Sequence, residues 1–124
     1  MQEEQIYNAV GTEGFARLVA GFYRRVKTDD ILSPLYPKGD FAGAEERLRL
    51  FLIQRFGGPA TYSDQRGHPR LRMRHAHIRI GRAERDAWYD AMAASLDEVA
   101  VEEPARSAML EYFAGSADWM INQV

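Results

Sequence analysis

An all-α fold follows from three observations. Apolar residues recur at three- and four-residue intervals almost throughout the chain. No run of strict alternation marks a strand. The strong punctuation is glycine and proline: Gly57-Gly58-Pro59 must stop a helix, and Gly67-His68-Pro69 restarts one, because proline suits a first helical position. With 124 residues, 46% of them hydrophobic, the chain fits one domain, 1–124, with a modest core and no disorder.

Taken in order, residues 2–10 predict a short helix ended by Gly11. A second begins at Thr12 or Glu13, with Phe15, Leu18, Val19, Phe22 and Val26 as its inward stripe and Tyr23 at the stripe's edge. Asp29-Asp30 opens a short helical turn through Leu35, kept short by Pro34 and Pro37. Asp40 is placed to N-cap a helix through Phe56, whose inward positions are Phe41, Ala44, Leu48, Phe51, Leu52 and Phe56. A poorly structured, arginine-rich connection follows, holding a short helix from Pro69 to His77. Residues 83–99 predict a long helix buried through Trp88, Met92, Ser95, Leu96 and Val99. Glu102-Glu103-Pro104 signals the start of a last one, to about Asn122, with Met109, Leu110, Phe113, Ala117 and Ile121 inside.

The formal net charge of −2 argues against general affinity for nucleic acid or anionic membrane. The chain has no cysteine, which excludes disulfides, thiolate metal sites and cysteine nucleophiles. No apolar run approaches the roughly 20 residues of a membrane span. The acidic start lacks the features of a signal peptide, so the expectation is a soluble cytoplasmic protein.

All three histidines lie between Gly57 and Ile80. On a helix, Leu71, His75 and Ile78 share one face, so His75 points inward between apolar neighbours. Such a histidine is either a core side chain tied to backbone by its ring nitrogens or a ligand of metal or haem iron. Zinc fits poorly, because the histidine spacing is wrong and carboxylates are scarce nearby. His68, between Gly67 and Pro69, suits a structural hydrogen bond at a helix end, and His77 faces away from His75. Arg66, Arg70, Arg72, Arg74, Arg79, Arg82 and Arg85 form a basic cluster: a solvated face, a nucleic-acid contact, or the lip of a cleft for an anionic ligand such as a haem propionate. Tyr23, Tyr36 and Trp88 are ordinary packing aromatics taken singly, yet each carries a donor that needs a partner when buried.

These segments together resemble the truncated haemoglobins, specifically the second group of them in bacteria. The resemblance covers nearly the whole chain and rests on FYRRV at 22–26, LYP at 35–37, AGAEERLRLFL at 42–52, GGPATYSDQRGHPRLRMRHA at 57–76 and ERDAW at 84–88. It implies a shortened globin fold in which two antiparallel helix pairs, two over two, sandwich haem b, iron protoporphyrin IX. By that resemblance His75 is the iron ligand. Tyr23, Tyr36 and Trp88 line the distal pocket, Ala44 replaces the usual distal polar side chain, and Leu48 lies one turn deeper. The methyl of Ala44 leaves room for a ligand entrance. Arg47 and Arg74 match propionate partners, and Phe51 and Tyr62 match cofactor contacts. The chain departs from the pattern at Val10-Gly11-Thr12, where relatives carry two glycines, at Arg55-Phe56, and in the last segment around Trp119.

The function so implied is binding of dioxygen and other diatomic ligands, with slow release that suits storage or sensing. The alternative is a haem enzyme that detoxifies nitric oxide or acts as a peroxidase. It would need a reductase, for which no site is legible, and assembly into an oligomer is open. A third reading, an arginine-rich nucleic-acid module, needs no haem.

Overall fold

The computed structural model describes residues 1–36 and 40–123, and these residues are helical with no strand. Six α-helices follow one another: α1 (Glu3–Thr28), α2 (Phe41–Arg55), α3 (Thr61–Arg66), α4 (Leu71–Arg74), α5 (Arg82–Val99) and α6 (Ala105–Met120). A 3-10 turn, Ser33–Leu35, lies between α1 and α2.

The two helices expected at the start are joined end to end in α1, with a kink at Gly11, where φ is 76° and ψ 161°. That positive φ favours glycine over any residue with a Cβ. Beyond the kink, Phe15, Leu18, Val19, Phe22 and Val26 are fully buried, as their spacing predicts. Around α1 the other long helices assemble: α1 packs on α5 and α2, and α5 packs on α6. Gly21 allows the close approach of α1 to α5. A Cβ there would stand 2.7 Å from Ser95 Oγ, and that buried hydroxyl donates to the Leu18 carbonyl at 2.6 Å.

Asp29 opens the turn after α1 by accepting the backbone N–H groups of Ile31 and Leu32. Pro37, expected to help keep that turn short, lies outside the described residues. Asp40 holds the N-cap position of α2 without capping it through its side chain. Its carboxylate instead takes the Arg47 guanidinium at 3.1 Å. Ile53, absent from the expected inward set, is buried on α2, while Phe41 and Leu48 are half-buried.

The connection between α2 and α5 differs most from expectation. It contains a six-residue helix, α3, that no periodicity marks. Gln54 makes it possible: its amide donates to Ser63 Oγ at 2.7 Å and accepts the Ser63 N–H at 2.8 Å. The histidine helix is one turn, Leu71–Arg74, and His75 is its C-cap, not an interior residue. Ala76 and His77 lie in the turn beyond. No helix among the described residues is long and apolar enough to cross a membrane.

Candidate functional site

Three aromatic donors from separate parts of the chain come together, Tyr23 and Tyr36 beside Phe41 of α2 and Trp88 from α5. Tyr23, on α1, is 3% exposed, deeper than the edge position expected of it. Its ring lies 5.5 Å from Tyr36 and 6.5 Å from Phe41, both edge to face. Trp88, on α5, is half-buried, 5.5 Å from Phe22 and 5.8 Å from Phe113. The Tyr36 phenol lies near enough to the Tyr23 phenol and the Trp88 indole for each of them to shift its proton affinity.

Burial pushes the Tyr23 phenol far above its ordinary range, and nearby Tyr36 adds to the shift. Burial pushes Tyr36 up to about 12, against the restraining hydrogen bonds of Tyr23 and Trp88. Both phenols therefore keep their protons at neutral pH and remain donors.

On α2, Ala44 is buried, Leu48 is half-buried one turn later, and Phe51 is buried another turn on. Tyr62 of α3 is buried edge to face on Phe51, with ring centroids 5.6 Å apart. Arg47 is on the same helix, and its guanidinium is engaged by Asp40.

The mount for His75 is built from short-range ties. His68 Nδ1 accepts the Arg70 N–H at 3.1 Å, the structural bond expected of it. Arg70 takes up a left-handed conformation, φ 44°, costing about 1–2 kcal/mol for a residue with a Cβ. Arg74 reaches back and donates to the carbonyls of Arg66 at 2.9 Å and His68 at 3.4 Å. Its Nε is buried with no partner among the described residues. His75 is half-buried, with Nδ1 2.7 Å from the Leu71 carbonyl. A carbonyl only accepts, so Nδ1 carries a proton, and in the neutral ring the lone pair is on Nε2, the tautomer a metal ligand requires.

Asn122 closes this mount from the far side and was not singled out by the sequence. Its amide donates to the Ile78 carbonyl at 2.7 Å and the His75 carbonyl at 3.5 Å. Its side-chain oxygen accepts the Ile80 N–H at 2.9 Å. No short-range pattern links positions more than forty residues apart. Only the side-chain type, a short amide with both donor and acceptor, hinted at such a clasp. His77 is exposed.

Among the described residues α4 packs on α6 and not on α2. A groove of about 350 Å³ lies between Phe51 on one side and Leu71, Met73 and Trp119 on the other. A larger groove, about 550 Å³, lies between the end of α1 and α5 and contains none of the expected site residues.

The residues suit haem. A histidine whose Nδ1 is tied to a carbonyl leaves Nε2 to face a ligand, α2 offers the half-buried apolar side chain of Leu48, and the partnerless Arg74 Nε suits an anionic carboxylate. No three histidine or acidic side chains gather among the described residues, so a directly held ion has no such mount.

The model of the bacterial-like globin family matches residues 5–122. The group 2 truncated hemoglobin YjbI of Bacillus subtilis is 35% identical over 117 residues, 94% of this chain and 88% of that protein. The crystal structure of hemoglobin from the thermophilic phototrophic bacterium Chloroflexus aurantiacus is 52% identical, with a TM-score of 0.92, covering 95% of this chain and 98% of that one. The truncated oxygen-avid haemoglobin from Bacillus subtilis is 33% identical, with a TM-score of 0.90, covering 94% and 98%.

Proposed function

This chain belongs to the bacterial-like globins, as a group II truncated haemoglobin of two-over-two fold, and from that premise we propose that it binds dioxygen and other diatomic ligands at haem b and releases them slowly. The family is one of haem-based ligand binding. Haem iron, when bound, supplies the ligand-binding and redox chemistry, which the protein tunes.

In this reading His75 ligates the iron through Nε2, with its Nδ1–H held by Leu71. Leu48, Phe51 and Tyr62 contact the cofactor's apolar faces, and Arg74 and Arg47 serve its carboxylates. Arg74 offers the partnerless Nε; Arg47 would share its guanidinium with Asp40.

The observation that carries the reading is the meeting of Tyr23, Tyr36 and Trp88. A bound diatomic that gathers negative charge on its outer atom accepts hydrogen bonds from their O–H and N–H groups. Such a bond is worth roughly 1.5–3 kcal/mol, about ten- to hundredfold in release rate. Ala44 has no donor, so retention falls to these three, and its small side chain leaves space for ligand entry. The avidity named for the oxygen-avid Bacillus subtilis relative accords with this.

Retention also favours a second reading, an enzyme that holds oxygen for oxidation of nitric oxide or carries out peroxidase-like chemistry. Spectra of the purified protein, ferric, reduced and oxygenated, test the first reading. Absence of a Soret band after haem addition would refute it. Turnover with a supplied reductant separates storage from catalysis.

A further inference from the structure

Four large apolar side chains among the described residues are exposed, and two of them, Met73 at 61% and Trp119 at 63%, line the same groove. The Arg72 guanidinium lies over the Trp119 ring, 5.0 Å from its centroid. Tryptophan, methionine and arginine are the types enriched where proteins bind one another.

The charge around this groove is one-sided. Residues 65–83 contain six arginines and no acid, in a chain whose net charge is −2, so the rest carries −8. Several arginines elsewhere are matched: Arg24 and Arg25 by Glu98, Arg55 by Glu3, Arg106 by Asp97. Arg66, Arg70, Arg72 and Arg79 are exposed and form no ion pair among the described residues. A positive pole surrounds an apolar centre.

That centre is on the turn that carries the mount. Met73 precedes His75 by two residues, and Leu71, whose carbonyl holds His75, lines the same groove as Phe51. A protein docked here stands beside the haem site proposed above.

We propose that this surface docks an acidic one-electron carrier protein that reduces the haem. The inference rests on the haem reading. The chemical need is plain: dioxygen binds ferrous iron, and iron that has lost an electron must regain one before it binds again. In the transfer, one electron leaves the carrier's reduced iron–sulfur cluster and reduces ferric iron to ferrous. No bond forms or breaks. Phe51, Leu71, Met73 and Trp119 in the groove accept apolar protein side chains while Arg70 and Arg72 beside them meet acidic groups, a combination that favours an acidic protein over nucleic acid or an anionic lipid surface. Small, salt-sensitive interfaces are usual for redox encounters.

The test uses haem-loaded protein and an acidic plant-type [2Fe–2S] ferredoxin as the probe. Calorimetry with oxidised ferredoxin at low ionic strength should show binding that salt weakens. Arg72→Glu with Arg79→Glu, and separately Trp119→Ala, should each weaken it at least about tenfold, in line with the steering such charges provide. Haem loading and oxygen release should not change. Stopped-flow reduction by pre-reduced ferredoxin should slow in parallel, while reduction by dithionite stays within about twofold. The proposal fails if ferredoxin does not bind, if these variants bind it as tightly as the parent, or if anionic vesicles or an oligonucleotide bind the surface more tightly than ferredoxin. Failure of the chain to take up haem would instead refute the functional reading, and calorimetry, which needs no turnover, would still decide the docking surface.

Discussion

The His75 imidazole is tethered to the Leu71 carbonyl one helical turn earlier, with 2.7 Å between Nδ1 and the oxygen. The tether commits the tautomer before any iron arrives and leaves one nitrogen to offer. His75→Ala should therefore lose or greatly weaken haem binding, and exposed His77→Ala should keep it. Soret absorbance during haem titration checks both. Loss with the second substitution and not the first would mean the wrong histidine has been chosen.

Trp88→Phe keeps an aromatic ring and removes the indole donor that reaches toward Tyr36. Oxygen release should quicken about ten- to hundredfold in stopped-flow displacement. With Trp88 the dominant donor, Tyr23→Phe should do less, since Trp88 and Tyr36 still reach the ligand. An unchanged rate in Trp88→Phe would reduce the tryptophan to packing against Phe22 and Phe113.

The phenols set an alkaline limit. Tyr36 has its pKa raised by burial from 10.0 to about 12. A raised pKa means the folded state favours the protonated form. The resulting stability is complete below pH 10 and is lost as pH climbs through about 12. The loss should amount to about 2–3 kcal/mol for this group. Urea unfolding at pH 8, 10 and 11.5 should show stability falling only above 10, and Tyr36→Phe should flatten the fall.

Gly57 has φ 94°, and a Cβ there would stand 2.5 Å from the backbone nitrogen of Glu4. Gly57→Ala combines a left-handed strain of about 1–2 kcal/mol with a backbone clash. Its urea midpoint should drop by the equivalent of about 2–4 kcal/mol. A neutral result would show that the start of α1 can lift away freely.

Much of this was legible in the sequence because it is local. The stripe from Phe15 to Val26 needs only helical spacing, and Gly11 and Gly57-Gly58-Pro59 announce their breaks. The site was legible in parts. Spacing put His75 on an apolar face, but only the family resemblance brought Tyr23, Tyr36 and Trp88 together, because their meeting depends on how α1 and α5 pack. What escaped is held by side chains reaching across the chain. α3 depends on Gln54 gripping Ser63, and the segment after His75 is pinned by Asn122. Asp40 looked like a side-chain cap and instead pairs with Arg47, since a carboxylate near a free guanidinium has a competing partner. α4 stopped at one turn because a four-residue helix has little cooperativity of its own and ends where side-chain ties replace its ladder.

The Asn122 clasp sets an order of events as the chain is made. Asn122 follows Ile80, whose N–H it accepts, by 42 positions. At about 5–20 residues per second, a ribosome needs roughly two to eight seconds to span that interval. During those seconds the chain through His75 has been synthesised, while the residue that fastens the following turn does not yet exist. The nascent protein therefore closes the clasp on the turn after His75 only once α5 and α6 have been translated, so that turn is fastened last of all.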